Sequence, residues 1–460
     1  MTNYLQQILT LFRNKALNAV GAERDLLTLI NDGDISTAIQ LMQDRDIDVD
    51  EAIKEYYPQH HAVMSRPNKF RKGKDPYITE KLPRAKQRYI NEVELFFLLG
   101  NPILWKKEEG DDEAYKLFTD FLGAQRYNAN MRKFKRLAGA ETESAKLYHI
   151  YRDEASGAMQ VKTVVLARET GYKLRPLFDQ YGNLRAFAYG YQLVEGGKTI
   201  QHWDIQTPDF LFFTKKTAVG WEVETFQNPT KKINIIFARQ PKAWDGAEQR
   251  LSREEMLDSK VADTNNYFAD PIAAATADVI ASMADPHNVG KLIQLTSSQS
   301  RFDYINPPQN SAAREAEKQD LNDSILFDTM TPDFSFDNLK GMGTLSGDAI
   351  KNAMILGYIK RDNRKEVYEE LVDRERSLIL SILKVLHPEM STKFDKLVIS
   401  FEFSEPFAED KQKNWSAISS LYQSGVCSLE TAVTMLALSD APEQEIEKIQ
   451  KEKPTEHSAQ

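Results

Sequence analysis

Carboxylates and histidines are the side chains in this sequence most able to hold a metal or move a proton, and the densest group lies near the N-terminus. Asp44, Asp46, Asp48 and Asp50 alternate with other residues, and Glu51 and Glu55 follow. Calcium loops use oxygen ligands at alternate positions, and a loop opening at Asp44 would put Glu55 at the bidentate twelfth position. The sixth position of such a loop needs Gly for its sharp turn. Here it is Val49, or Glu51 if the loop opens at Asp46, so a solvated acidic turn is the expectation. His60–His61 is the only adjacent pair among the 7 His. Adjacent helical side chains point apart, so no zinc site is expected there.

Nucleotide and acyl-transfer chemistry is absent at the level of motifs. There is no G-x-x-x-x-G-K-[ST], no G-x-S-x-G and no H-E-x-x-H. Gly341-Met342-Gly343 is the nearest approach to a glycine-rich loop, and the residues after it do not complete a dinucleotide fingerprint. The expectation is a protein without catalytic residues, cofactor or metal. What remains is charge: Arg66, Lys69, Arg71, Lys72, Lys74, Lys81, Arg84, Lys86 and Arg88 stand against only Asp75 and Glu80.

The elements that must position these residues belong to a large chain. Its 460 residues are 41% hydrophobic and allow two or more domains, but the formal charge of -9 argues against tight, unspecific DNA binding. Cys427 stands alone, so no intrachain disulfide forms. No long apolar run or signal-like start is seen, and a soluble, intracellularly made protein is expected, with no membrane partner. Residues 1–60 read as helical. An apolar helix follows the basic segment and stops at Gly100-Asn101-Pro102, and helices are expected over 112–122 and 128–135.

From 145 the period changes to two. Seven strands are expected over 146–153, 161–168, 184–194, 199–207, 210–215, 220–225 and 232–238, in one antiparallel sheet packed on the helices, which makes an α+β domain. A helix from Ser252 to about Phe268 and another from Ser311 to Phe327 flank an insert with a strand at 291–296. A loop over 331–345 precedes the longest helical pattern, from Ser346 to about Leu386, with Gly357 as its expected bend. A strand over 396–403 and helices over 411–423, 428–438 and 443–452 complete the chain.

Three stretches resemble the portal proteins of tailed bacteriophages. Arg88–Pro102, a basic run entering an apolar helix that ends at Gly-Asn-Pro, resembles the family's wing helix. Asp258–Pro271, the insert and the helix to Phe327 resemble the stem–clip–stem hairpin. Leu345–Ile350, Phe401–Pro406 and Leu421–Thr431 resemble the start of the long helix after the tunnel loop, the strand that follows it, and the crown helices. The resemblance implies an α+β portal fold. Residues 1–245 would be wing, 246–270 and 311–330 stem, 271–310 clip and 331–346 tunnel loop. The long helix and strand would occupy 347–403 and the crown 404–453, with a disordered tail over 454–460.

It also implies a structural role in the virion, assembled in the host cytoplasm: a ring of about twelve subunits at one capsid vertex. Double-stranded DNA would pass through it during packaging and ejection. Its partners would be the large terminase, head-completion, connector and tail proteins, and the major capsid and scaffold proteins. On this map Lys340, Arg314 and Lys318 are candidates for the DNA channel, against an exposed loop lysine or an intersubunit salt bridge. Lys291 and Arg301 are candidates for motor contact, Phe334 and Phe336 for packing of the tunnel loop, and Arg66, Lys69, Arg71, Lys72 and Lys74 for protein contacts of the wing. The alternatives are another capsid-associated scaffold protein or a nucleic-acid-processing enzyme.

Overall fold

The structure, a computed structural model, describes residues 26–69, 78–154, 157–269, 272–276, 291–295, 297, 311–336, 338, 340, 347–407, 411–436, 446 and 449. The chain divides into two units, Met1–Asp333 with Leu356–Ser404, and Phe334–Ile355 with Glu405–Gln460.

In the first unit, helical residues 26–31 precede α1 (Ile35–Gln40), α2 (Asp46–Tyr56) and α3 (Lys86–Leu99). Strand β1 (Ile103–Glu109) and helices α4 (Asp112–Ala124) and α5 (Tyr127–Glu141) follow. Asp111 caps α4 by accepting from the N–H groups of Glu113 and Ala114, and α4 carries Asp112 and Glu113 in its first turn, where the helix dipole favours acids. Eight strands come next: β2 (Glu143–Arg152), β3 (Met159–Leu166), β4 (Lys173–Phe178), β5 (Leu184–Glu195), β6 (Lys198–Gln206), β7 (Phe210–Lys216), β8 (Trp221–Gln227) and β9 (Ile235–Arg239).

These strands form two sheets rather than the expected one. β3-β2-β9 make a three-stranded sheet and β4-β5-β6-β7-β8 a five-stranded one. The strand that begins the second sheet, β4, escapes the period-two reading because Pro176 lies within it; Pro is tolerated there because β4 is an edge. Between β5 and β6, Gly196 and Gly197 both take positive φ, the two-residue turn that matches strand twist. One face of the five-stranded sheet buries Trp203, Ile205 and Phe212 against Leu26, Ile30 and Ile35. Its other face packs Leu174, Phe187 and Tyr189 on Leu147, Ile235 and Phe237 of the three-stranded sheet.

Helices α6 (Glu248–Ala269) and α7 (Ser311–Asp328) flank the short strands β10 (Ile272–Thr276) and β11 (Lys291–Leu295), which pair in parallel. β10 lies in the stretch that sequence reads only as Ala-rich. Helix α8 (Gly347–Ala353) belongs to the second unit. Helix α9 (Ile355–Leu386), short helix α10 (Ser391–Asp395) and strand β12 (Val398–Phe403) follow.

The expected single helix from 346 is interrupted at Met354, and Gly357 lies inside α9. Gly357 is where α9 crosses α3: a Cβ there would lie 2.4 Å from Phe97 Cζ. β12 pairs antiparallel with β1, joining residues about 300 apart. In the second unit, α11 (Lys411–Gln423) ends before Gly425 at φ 73°, and α12 (Leu429–Leu436) starts after Ser428, whose hydroxyl accepts the Thr431 N–H at 3.1 Å. The third expected helix, over 443–452, and the tail lie almost wholly outside the described residues.

Two buried charge clusters pin α9 to the main core. Glu94 on α3 meets Lys135 at 2.5 Å, Arg364 at 3.0 Å and Lys360 at 3.3 Å. Glu375 meets Lys146 at 2.5 Å, accepts from Tyr127 at 3.0 Å and also from Tyr148. Burial lowers the pKa values of Lys135 and Lys146 against the pull of their carboxylates.

Candidate functional site

The described residues hold no group of three or more His, Cys, Asp and Glu side chains placed to bind a metal. The acidic run near the N-terminus lies largely on α2 and is engaged by cations. Asp46 meets Arg168 at 2.5 Å, Arg175 at 2.8 Å and Lys173 at 3.1 Å. Burial opposes its ionisation, but these three cations hold its carboxyl well below the usual range. Asp48 pairs with Arg45, and Glu55 accepts from Lys242 and Trp244.

The densest polar construction of the first unit is the α6–α7 hairpin and the segment that straps it. Arg253 pairs with Glu317 at 2.6 Å, Lys318 with Asp258 at 3.0 Å, and Arg250 with Asp328. The apolar base of the hairpin is Leu251 and Ile325, packed with Trp244, Tyr56 and Ile90.

Along α6 run Glu255, Ser259 and Asp263, spaced four residues apart and therefore on one helical face. Each accepts a backbone N–H from the segment leading into α3. Glu255 takes that of Arg84 at 2.8 Å, Ser259 that of Leu82 at 2.9 Å, and Asp263 that of Glu80 at 2.8 Å. Four helical residues rise about 6.0 Å and two extended residues about 6.6 Å, so the two repeats match and the strap runs antiparallel to the helix.

Charges lock this ladder. Arg66 reaches Asp263 at 2.5 Å and the Glu80 carbonyl at 2.8 Å. Arg84 reaches Asp258 at 2.6 Å, and Lys86 bridges Glu254 at 3.0 Å and Asn322 of α7 at 2.8 Å. His61 Nδ1 lies 2.6 Å from Glu255, and both side chains are buried. Burial alone would raise the Asp263 carboxyl; the Glu80 N–H and the Arg66 guanidinium hold it below its usual range. The arrangement fastens α6 to the segment leading into α3. It offers no nucleophile beside a base.

The sequence candidates are placed as follows. Arg66 is drawn into the strap, and Lys69 adds positive charge near Asp263. Arg71, Lys72, Lys74 and Arg301 lie outside the described residues. Lys291 opens β11. Arg314 is exposed on α7, and Lys318 is tied to Asp258 within the hairpin. In the second unit Phe334 is partly buried, Phe336 is 80% exposed and Lys340 is exposed. Sequence reasoning does not reach the acceptors Glu255, Ser259 and Asp263. Their signal is the four-residue spacing on α6, legible only beside a strap that needs acceptors at every second residue.

No helix among the described residues is long and apolar enough to cross a membrane. A search of curated proteins found no match. The family model described as phage portal protein, SPP1 Gp6-like, matches residues 42–459, which takes in α2, the strap, both sheets, the hairpin, α9 and the helices of the second unit. A match over nearly the whole length settles the family: the chain belongs to the SPP1 Gp6-like phage portal proteins.

Proposed function

We propose that the chain is the ring subunit of a portal vertex, through which double-stranded DNA enters and leaves the capsid. The observation that carries this reading is the portal-family match over residues 42–459. In this reading α6 and α7 are the stem, with β10 and β11 in the clip that meets the terminase and later the connector and tail. The sheets and α3–α5 form the wing, facing capsid and scaffold proteins. Residues 331–346 are the tunnel loop and 404–453 the crown.

The physics of such a ring favours a helix that carries few free charges. Each side chain repeats about twelve times around a closed ring, so one unpaired lysine becomes a belt of positive charge. B-DNA carries one charge per roughly 1.7 Å, and a continuous basic lining would hold it rather than let it slide. The salt bridges of Arg250, Arg253 and Lys318 supply neutralisation inside the hairpin. Negative-stain imaging of the purified protein tests the proposal. Rings with a central hole are expected; folded protein that stays monomeric or forms ringless assemblies would overturn it.

A further inference from the structure

The two sheets of the wing treat their edges differently. The outer edge of β3 is closed by one side chain. Gln125 donates to the Val161 carbonyl at 2.9 Å and accepts the Thr163 N–H at 3.0 Å, as a neighbouring strand would. Among the described residues β8 is the last strand of the five-stranded sheet, and its residues alternate in a revealing way.

Rows across the sheet run Leu174, Tyr189, Asp204, Phe213, Glu224 and Phe187, Gln206, Leu211, Phe226. They begin in the core, with Leu174 at 3%, Tyr189 at 4% and Phe187 at 0% exposure. They end in the open, with Phe226 at 52% and Glu224 exposed, because the three-stranded sheet covers only the first part of this face. Phe213 and Phe226 stack edge to face at 5.7 Å on the uncovered part. Glu222 shares that face, opposite Lys215, and Lys215 is already paired with Glu195. At the boundary, Asp204 is buried and accepts from the Tyr191 hydroxyl at 3.1 Å.

We infer that the edge of β8 and the adjoining face of Leu211, Phe213 and Phe226 form a docking site for an extended segment of a partner chain, one that alternates basic and apolar residues. Charge complementarity selects this occupant. A strand added beside β8 would set its side chains against Glu222, Glu224 and Phe226 on one face and against Trp221, Val223 and Thr225 on the other. Lys or Arg opposite the two glutamates and β-branched residues between them satisfy both faces. The glutamates would also repel acidic strands and other copies of the same edge, which limits unspecific edge pairing.

The inference concerns the folded subunit and holds whether or not it forms rings. The experiment is hydrogen exchange and titration calorimetry on the full chain with a short capped peptide alternating Lys with Val and Thr, and with its Glu counterpart. The Lys peptide is expected to slow exchange over 221–227 and to bind with an affinity that falls as salt rises. The double variant Glu222→Lys, Glu224→Lys should weaken binding about tenfold or more, and Phe226→Ser should weaken it separately. All three positions are exposed, so the variants should keep the wild-type circular dichroism spectrum. Equal binding of the Glu peptide, or protection elsewhere than β8, would overturn the proposal. So would protection of β8 in the protein alone that disappears on dilution, which would make the occupant a second copy.

Discussion

Glu94 is the side chain whose loss the structure predicts most sharply. It is 1% exposed and lies among Lys135, Lys360 and Arg364, with Gln240 donating at 3.3 Å. Burial opposes its charge, and the three cations overcome that and hold the carboxyl well below the usual range. Glu94→Gln keeps the shape and removes the charge. Lys135, fully buried, then loses the carboxylate it pairs with and keeps only the weaker pull of Glu92, while Lys360 and Arg364 keep partial access to water. Stripping a buried cation of its partner costs about 3–5 kcal/mol, roughly a fifth or more of the stability of an ordinary domain. The companion Glu94→Gln, Lys135→Met removes the most buried cation as well and should recover about half of that loss or more.

The pH response distinguishes this cause from simple repacking. A buried lysine without its carboxylate has a folded-state pKa below the unfolded value of 10.5. The unfolded chain then binds more protons, so the single variant should gain stability relative to wild type as pH rises toward 10.5, and the double variant should gain less, through Lys360 alone, which burial already holds down to about 8. Urea unfolding followed by far-UV circular dichroism, at fixed protein concentration and at two pH values, measures all of this. A single variant within about 1 kcal/mol of wild type, or a double variant no better than the single, would refute the reasoning.

Other residues give equally direct outcomes. Burial pushes Glu141 up to about 7 from 4.5, against two backbone N–H donors at Arg168 and Glu169. The folded state therefore holds its proton more tightly, and up to about 3 kcal/mol is present below pH 4.5 and lost as pH rises through 7. Glu141→Gln should flatten that slope in pH-dependent unfolding, at a lower overall stability, because an amide accepts only one of the two N–H groups. Asp263→Ala leaves the Glu80 N–H without its acceptor and Arg66 without its carboxylate, and should cost about 2–4 kcal/mol, with faster hydrogen exchange at 80–84 while β5 and β6 stay protected. Gly357→Ala drives a Cβ into Phe97 and should cost about 1–3 kcal/mol, partly relieved by Phe97→Leu in thermal unfolding. Lys340→Ala should leave ring assembly intact and alter DNA packaging or retention; wild-type behaviour in both would remove residue 340 from the channel.

What the sequence made legible was local. The periods of α3–α5, of β2 and β3, of β5–β8 and of the two hairpin helices are written in consecutive residues, and the turns between strands carry their glycines. What it hid was set by tertiary contact. β4 was masked by Pro176, which only an edge strand tolerates. β1 received no element from the sequence, and it is β12, about 300 residues later, that pairs with it. Gly357 looks like a weak point by propensity, yet its role is to let α9 pass Phe97, and the interruption falls at Met354. The candidate site divides the same way. The basic run was visible as a run; its anchorage was not, because the acceptors lie about 170 to 200 residues downstream on a helix whose acids look like an ordinary solvated face.

That anchorage changes what the basic run means for a DNA conduit. Arg66, Arg84 and Lys86 meet carboxylates of α6, and Arg250, Arg253 and Lys318 meet carboxylates within the hairpin. Charges so spent cannot release counterions from DNA, since each phosphate contact needs a free cation. On the proposed map the free candidates reduce to Arg314 on α7 and Lys340 in the second unit, among the described residues. Each neutralised phosphate steepens the salt dependence of binding by about 0.9 in log–log slope. A ring built from this subunit should therefore hold DNA with a shallow salt dependence, set by how many copies of Arg314 and Lys340 touch a phosphate at once. The two hairpin helices carry ten acids against five bases, so on the proposed map the duplex would pass an acidic wall that does not hold it.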